Sequence, residues 1–168
     1  MNIILIGMPG VGKSTVGVVL AKKLGYKFMD SDLVIQDVEG KLLHEIIEEV
    51  GVDGFLKVED RVNASINVDQ TVLATGGSAV YGEMAMKHLS ENGIMVYLHL
   101  PIEELKDRLG DLNERGVAMK NGNTLEELME EREPLYEKYS TIKIDCANKQ
   151  IREIVEEIAG KVKNMAIN

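Results

Sequence analysis

The sequence predicts a three-layer α/β fold, a five-stranded parallel sheet with helices on both faces. Three observations carry this reading. Uninterrupted apolar runs, such as Ile3-Ile4-Leu5-Ile6 and Ile94-Met95-Val96-Tyr97-Leu98, read as strands buried on both sides. Between them lie longer stretches whose apolar residues recur at helical spacing. The two kinds alternate along all 168 residues, a pattern that yields a parallel sheet with ligands gathered at the carboxyl ends of its strands.

The first strand is the run Ile3–Ile6, cut by a Gly-rich turn at Gly7. Val16, Val19, Leu20 and Leu24 then share a helical face, and Gly25 supplies the stop signal. A short strand through Lys27-Phe28-Met29 ends at Asp30-Ser31-Asp32, after which helical spacing returns at Leu43, Ile46, Ile47 and Val50. A second helical stretch runs from about Asp53 to Ile66. Val72-Leu73-Ala74 and Ile94–Leu98 are the next strands, separated by a helix around Glu83 to Leu89. Pro101 opens a helix at the one place where its missing N–H costs nothing. Thr124 and Glu127 have the spacing of a capping box for the helix after it. Ile142-Lys143-Ile144 is the last strand, and Ile151, Ile154, Val155, Ile158 and Val162 mark the closing helix. Residues 110–123 are polar, contain three glycines and lack periodicity, which makes the segment a candidate lid. No repeat or interdomain linker interrupts the chain, so residues 1–168 are expected to form a single domain.

Composition narrows the function. With 45% hydrophobic and 28% charged residues the chain lies in the globular range. A formal charge of -9 argues against a surface that tracks nucleic-acid phosphates. The single Cys146 excludes an internal disulfide, and no Cys or His stands at metal-ligand spacing, as suits a reducing compartment. The N-terminal apolar run is too short for a signal segment or a membrane span. A cytoplasmic protein is expected, with neither nucleic acid nor membrane as partner.

Gly7-Met8-Pro9-Gly10-Val11-Gly12-Lys13-Ser14 matches the Walker A pattern G-x-x-x-x-G-K-[ST] without a mismatch, between a predicted strand and a predicted helix. Such a loop turns successive backbone N–H groups around a polyphosphate, and the helix beginning near Lys13 adds the positive end of its dipole. Gly10, Val11, Gly12, Lys13, Ser14 and Thr15 are the candidate nucleotide-binding residues. Lys13 would reach the β- and γ-phosphates of ATP, and the Ser14 hydroxyl would ligate Mg²⁺. The fold class thereby sharpens to a P-loop kinase fold. The length and the absence of an N-K-x-D motif speak against a GTPase.

Asp30 and Asp32 flank one residue where the second strand ends, close to where the phosphates would lie. Two readings stay open. The pair could serve a Mg²⁺ ion and an acceptor hydroxyl that needs orientation and a proton sink. Alternatively, one Asp is a helix N-cap and the other a solvated loop carboxylate.

With the Walker A loop and the D-x-D pair in place, the sequence resembles the shikimate kinase family over nearly its whole length. The resemblance implies an ATP- and Mg²⁺-dependent kinase that phosphorylates a small hydroxylated acceptor, and a monomer. It assigns Asp30 to Mg²⁺ through water, and Asp32 to the acceptor hydroxyls and to the role of base. The family's Gly-Gly-Gly segment corresponds to Gly76-Gly77-Ser78, with Ser78 in place of the third glycine. Arg115 falls at the catalytic lid arginine, Arg108 at an arginine that stacks on adenine, and Arg132, before Pro134-Leu135-Tyr136, at one that binds the acceptor carboxylate. The residues themselves agree on Arg132, because Leu125, Leu128, Met129, Arg132 and Tyr136 share one helical stripe. A buried arginine wants a carboxylate or phosphate, whether a ligand's or an internal Glu or Asp. The acceptor-binding region is expected at about residues 32–66.

One motif departs. The family's F-R-x-x-E reads Phe55-Leu56-Lys57-Val58-Glu59, so the arginine that forks the acceptor carboxylate is Leu56. Lys57 is adjacent, but one helical step turns it about 100° away and it lacks the bidentate fork. Either Lys57 or another cation compensates, or the acceptor is another hydroxy acid or polyol. An ATP-binding regulatory module is a third alternative, which Asp30, Asp32, Arg115 and Arg132 argue against. His44, His88 and His99 are scattered and read as structural or solvent-exposed.

Overall fold

The computed structural model describes residues 1–109 and 123–167. The opening apolar run forms β1 (Asn2–Ile6), with all five of its residues buried. It lies at the centre of a five-stranded sheet, between β3 (Thr71–Ala74) and β4 (Gly93–His99), with β2 (Lys27–Asp30) and β5 (Ile142–Asp145) at the edges. The order is β2-β3-β1-β4-β5 and every pairing is parallel. Central strands covered on both sides need continuous apolar sequence, whereas the edge strand β5 alternates buried Ile142 and Ile144 with exposed Lys143 and Asp145.

Seven α-helices accompany the sheet among the described residues: α1 (Lys13–Leu24), α2 (Ser31–Glu39), α3 (Leu43–Ala64), α4 (Glu83–Asn92), α5 (Ile102–Arg108), α6 (Leu125–Tyr139) and α7 (Ile151–Ile167). α1 ends at Gly25 in the left-handed conformation, as its stop signal requires. Gly51, at φ 73° and ψ 174°, breaks α3 into the two stretches its sequence predicts. In α6 the buried residues are Leu125, Leu128, Arg132 and Tyr136, the predicted stripe, and Thr124 accepts from the Glu127 N–H at 3.2 Å.

α2 is the element the sequence does not announce. Its apolar residues do not segregate to one side: Ile35 is buried while Leu33 and Val38 are 62% and 55% exposed. Local chemistry forms it instead. Asp30 caps its start by accepting from the Asp32 N–H at 2.9 Å, and Gly40, left-handed, ends it.

The main core spans the sheet and the helices on both faces. A second, smaller cluster lies apart: Ile35 of α2 and Ile46, Phe55 and Val62 of α3, with Leu56 half-buried against it. This cluster fixes α2 on α3, and so sets the place of Asp32. Among the described residues no helix is long and apolar enough to cross a membrane.

Candidate active site

The loop from β1 to α1 closes around its own backbone. Gly7, Gly10 and Gly12 have φ of 148°, 85° and 99°, values that L side chains rarely adopt. At Gly7 a Cβ would also stand 2.6 Å from the Leu98 carbonyl oxygen of β4, so the loop passes too close to the sheet for any side chain. Lys13 is 8% exposed, and its Nζ donates to the carbonyls of Gly7 at 2.6 Å and Met8 at 2.9 Å. Burial pulls its pKa down to about 8, against the opposing charge of Asp32. Arg108, at the end of α5, donates to the Val11 carbonyl at 3.2 Å, and so stands beside this loop.

A cleft of about 320 Å³ opens over the loop, lined by Gly10, Gly12, Lys13, Ser14 and Thr15 on one side and by Asp32, Thr75, Gly76 and Gly77 on the other. Ser14 Oγ donates to Asp30 Oδ2 at 2.8 Å, while Asp30 Oδ1 takes the Asp32 N–H. One oxygen of Asp30 thus caps α2, as the capping reading expects, while the other meets Ser14. A serine hydroxyl and a carboxylate oxygen at that distance are hard donors that suit Mg²⁺. Among the described residues no group of three or more His, Cys, Asp or Glu could hold a metal. Ser14 and Asp30 would supply two such donors, with phosphate and water oxygens completing the coordination. Asp32 carries its carboxyl into the cleft, and burial first, then the charge of Asp30, raises its pKa to about 6.

Arg132 is 1% exposed; its Nε donates to the Tyr81 hydroxyl at 3.3 Å and its guanidinium lies 5.3 Å from the Tyr81 ring centroid. Its helix is tied to the cleft by Tyr136, whose hydroxyl donates to the Gly77 carbonyl at 2.6 Å. A Cβ on Gly77 would stand 3.0 Å from an Arg132 guanidinium nitrogen and 2.7 Å from Pro9, which explains the glycine there sterically. Ser78 has φ -88° and ψ -3°, so serine in place of glycine strains nothing. Lys57 is exposed and Leu56 packs into the second cluster. Arg115 and the lid, apart from Asn123, lie outside the described residues.

The chain that builds this phosphate loop, acidic pair and buried arginine matches a family model described as "Shikimate kinase" over residues 9–163. The chain belongs to the shikimate kinase family. A shikimate kinase from Persephonella marina is 36% identical over 163 residues, covering 96% of this chain and 99% of its own length. The solved shikimate kinase from Acinetobacter baumannii in complex with shikimate superposes with a TM-score of 0.87 at 30% identity, over 99% of this chain and 95% of that one. The shikimate kinase from Aquifex aeolicus gives 0.79 at 30% identity, over 99% and 98% of the two chains.

In this member of the shikimate kinase family, Glu59 reads from sequence only as the acid that closes the Phe55–Glu59 motif, with no role in the site. It is 2% exposed, and Oε1 accepts from the Ser78 hydroxyl at 2.6 Å. Burial above all, with the negative charge of Asp32 adding, raises its pKa to about 7 against the Ser78 hydrogen bond and the charges of Arg132 and Lys13. A signal was present: Phe55, Glu59 and Val62 share one buried face of α3, and an acid on an apolar stripe calls for a partner as Arg132 does.

Proposed function

We propose that the protein transfers the γ-phosphoryl group of ATP to a hydroxyl of shikimate, giving shikimate 3-phosphate. The observation that carries this reading is the cleft itself. Lys13 and Ser14 face Asp32, Gly76 and Gly77 across one space, with Arg132 behind the glycines, so phosphate-binding and acceptor-binding groups converge.

Nucleotide phosphates take the loop N–H groups of Gly10, Val11, Gly12, Lys13, Ser14 and Thr15, and Lys13 exchanges its two carbonyl contacts for phosphate oxygens. Mg²⁺, when bound, neutralises phosphate charge, and Ser14 and Asp30 are the residues to hold it. Asp32 accepts the acceptor's hydroxyl proton; a carboxyl with raised proton affinity is a better base than an ordinary aspartate and is still largely ionised at neutral pH. Arg132 meets the acceptor carboxylate, Arg108 borders the adenine, and Arg115 completes the transfer site from a lid at residues 110–123. The acceptor region spans about 32–66 of a single-domain, monomeric, cytoplasmic enzyme.

A second reading keeps the reaction and changes the acceptor to another hydroxy acid or polyol. Leu56 favours it, since that position faces the second apolar cluster and supplies no cation. Coupled assays of ADP release across shikimate, quinate, gluconate, homoserine and simple polyols separate the two. Shikimate is expected to give the highest kcat/KM, and Lys13→Ala to abolish turnover. Preference for another member of the panel selects the second reading.

A further inference from the structure

The loop after β3 gathers the acceptor side of the cleft onto three consecutive residues. A Cβ on Gly76 would stand 2.8 Å from Asp32 Oδ1 and 2.9 Å from Glu59 Oε2; one on Gly77 would stand 3.0 Å from Arg132; and Ser78 donates to Glu59 Oε1 at 2.6 Å. Asp32 comes from α2, Glu59 from α3 and Arg132 from α6, so three helices are registered on this one loop.

Glu59 is the hidden member of the set. Its Oε2 is buried without a hydrogen-bond partner, and lies against the same glycine as the Asp32 carboxyl. An acid so placed needs a donor to fix its rotamer. Position 56 is three residues earlier on α3, where helical side chains become neighbours, and an arginine there could reach Glu59. Leu56 offers no donor and turns into the second cluster. The donor comes instead from Ser78, across the loop.

We propose that the Ser78 hydroxyl takes the place of a cation at position 56 in holding Glu59, and that Glu59, so held, is a positioning residue for Asp32 and Arg132. Leu56 and Ser78 then form one coupled exchange. The effect on the acceptor rests on the function proposed above; the coupling between positions 56 and 78 does not.

The test compares the native protein with Ser78→Ala, Leu56→Arg and the double variant, by thermal unfolding and by KM for shikimate and for ATP. Alanine adopts the Ser78 backbone conformation, so Ser78→Ala removes the hydroxyl alone. It is expected to lower Tm and to raise the shikimate KM at least about fivefold, with the ATP KM changed by less than about twofold. Leu56→Arg is expected to lower Tm in the native background, where Glu59 is already held, and to raise it in the Ser78→Ala background. Equal effects of Leu56→Arg on Tm in both backgrounds overturn the coupling, and equal rises in both KM values overturn the positioning role. Should Leu56→Arg not fold, Glu59→Met takes its place: Ser78→Ala then loses its effect on Tm, and an undiminished effect overturns the proposal. If the native protein does not use shikimate, the proposed function fails, and the Tm comparison decides the coupling alone.

Discussion

Asp32 divides its work between backbone and side chain. Its N–H completes the cap on Asp30 and its carboxyl lines the cleft, so removing the charge leaves the cap intact. Asp32→Asn should lower kcat by about 10²–10⁴-fold, the usual contribution of a positioned base, with the dissociation constant of ATP changed by less than about threefold. Single-turnover kinetics beside equilibrium nucleotide binding measure both. A matched loss of ATP affinity would move Asp32 to the nucleotide side. At this scale the sequence was most legible where a motif is local. Every residue of the phosphate loop lies in one short run, and Asp30 and Asp32 are separated by one position. Glu59 and Ser78 are 19 residues apart on different elements, and no local pattern links a glutamate to a serine at that distance.

Elements were legible in proportion to how far their burial shows in their composition. β1 is apolar from Ile3 to Ile6, β4 is apolar from Ile94 to Leu98, and α7 has a regular buried stripe, so each could be read directly. α2 is held by caps and by its packing on α3, and its exposed Leu33 and Val38 blur any stripe. α3 carries the consequence for the acceptor. Leu56 lies in the small cluster, Lys57 is exposed and Arg132 is on α6, so the carboxylate clamp proposed for the acceptor receives no fork from α3. A charge-assisted hydrogen bond contributes about 1.5–3 kcal/mol, or roughly 10- to 150-fold in affinity. Leu56→Arg should therefore lower the KM for shikimate by at least about tenfold while leaving that for ATP within about threefold. Steady-state kinetics in both substrates check this, and a raised KM for shikimate would show that another cation already completes the clamp.

For the whole molecule, alternation of strand and helix implied a parallel sheet, but strand order is a long-range property that alternation leaves open. The order β2-β3-β1-β4-β5 sets β1 beside β3, and Thr75 Oγ1 donates to the Leu5 carbonyl at 2.8 Å across 70 residues of chain. That adjacency brings the phosphate loop after β1 against Gly76-Gly77-Ser78 after β3, and makes one cleft from two distant segments. Such a cleft suits the transfer of phosphate from a nucleotide on one side to an acceptor held on the other. The direct measurement is ³¹P NMR of the native protein with Mg²⁺·ATP and shikimate. The account predicts a phosphomonoester resonance on shikimate that grows one-for-one with ADP and is absent with Lys13→Ala. Release of ADP with inorganic phosphate alone, or no consumption of ATP, would contradict it.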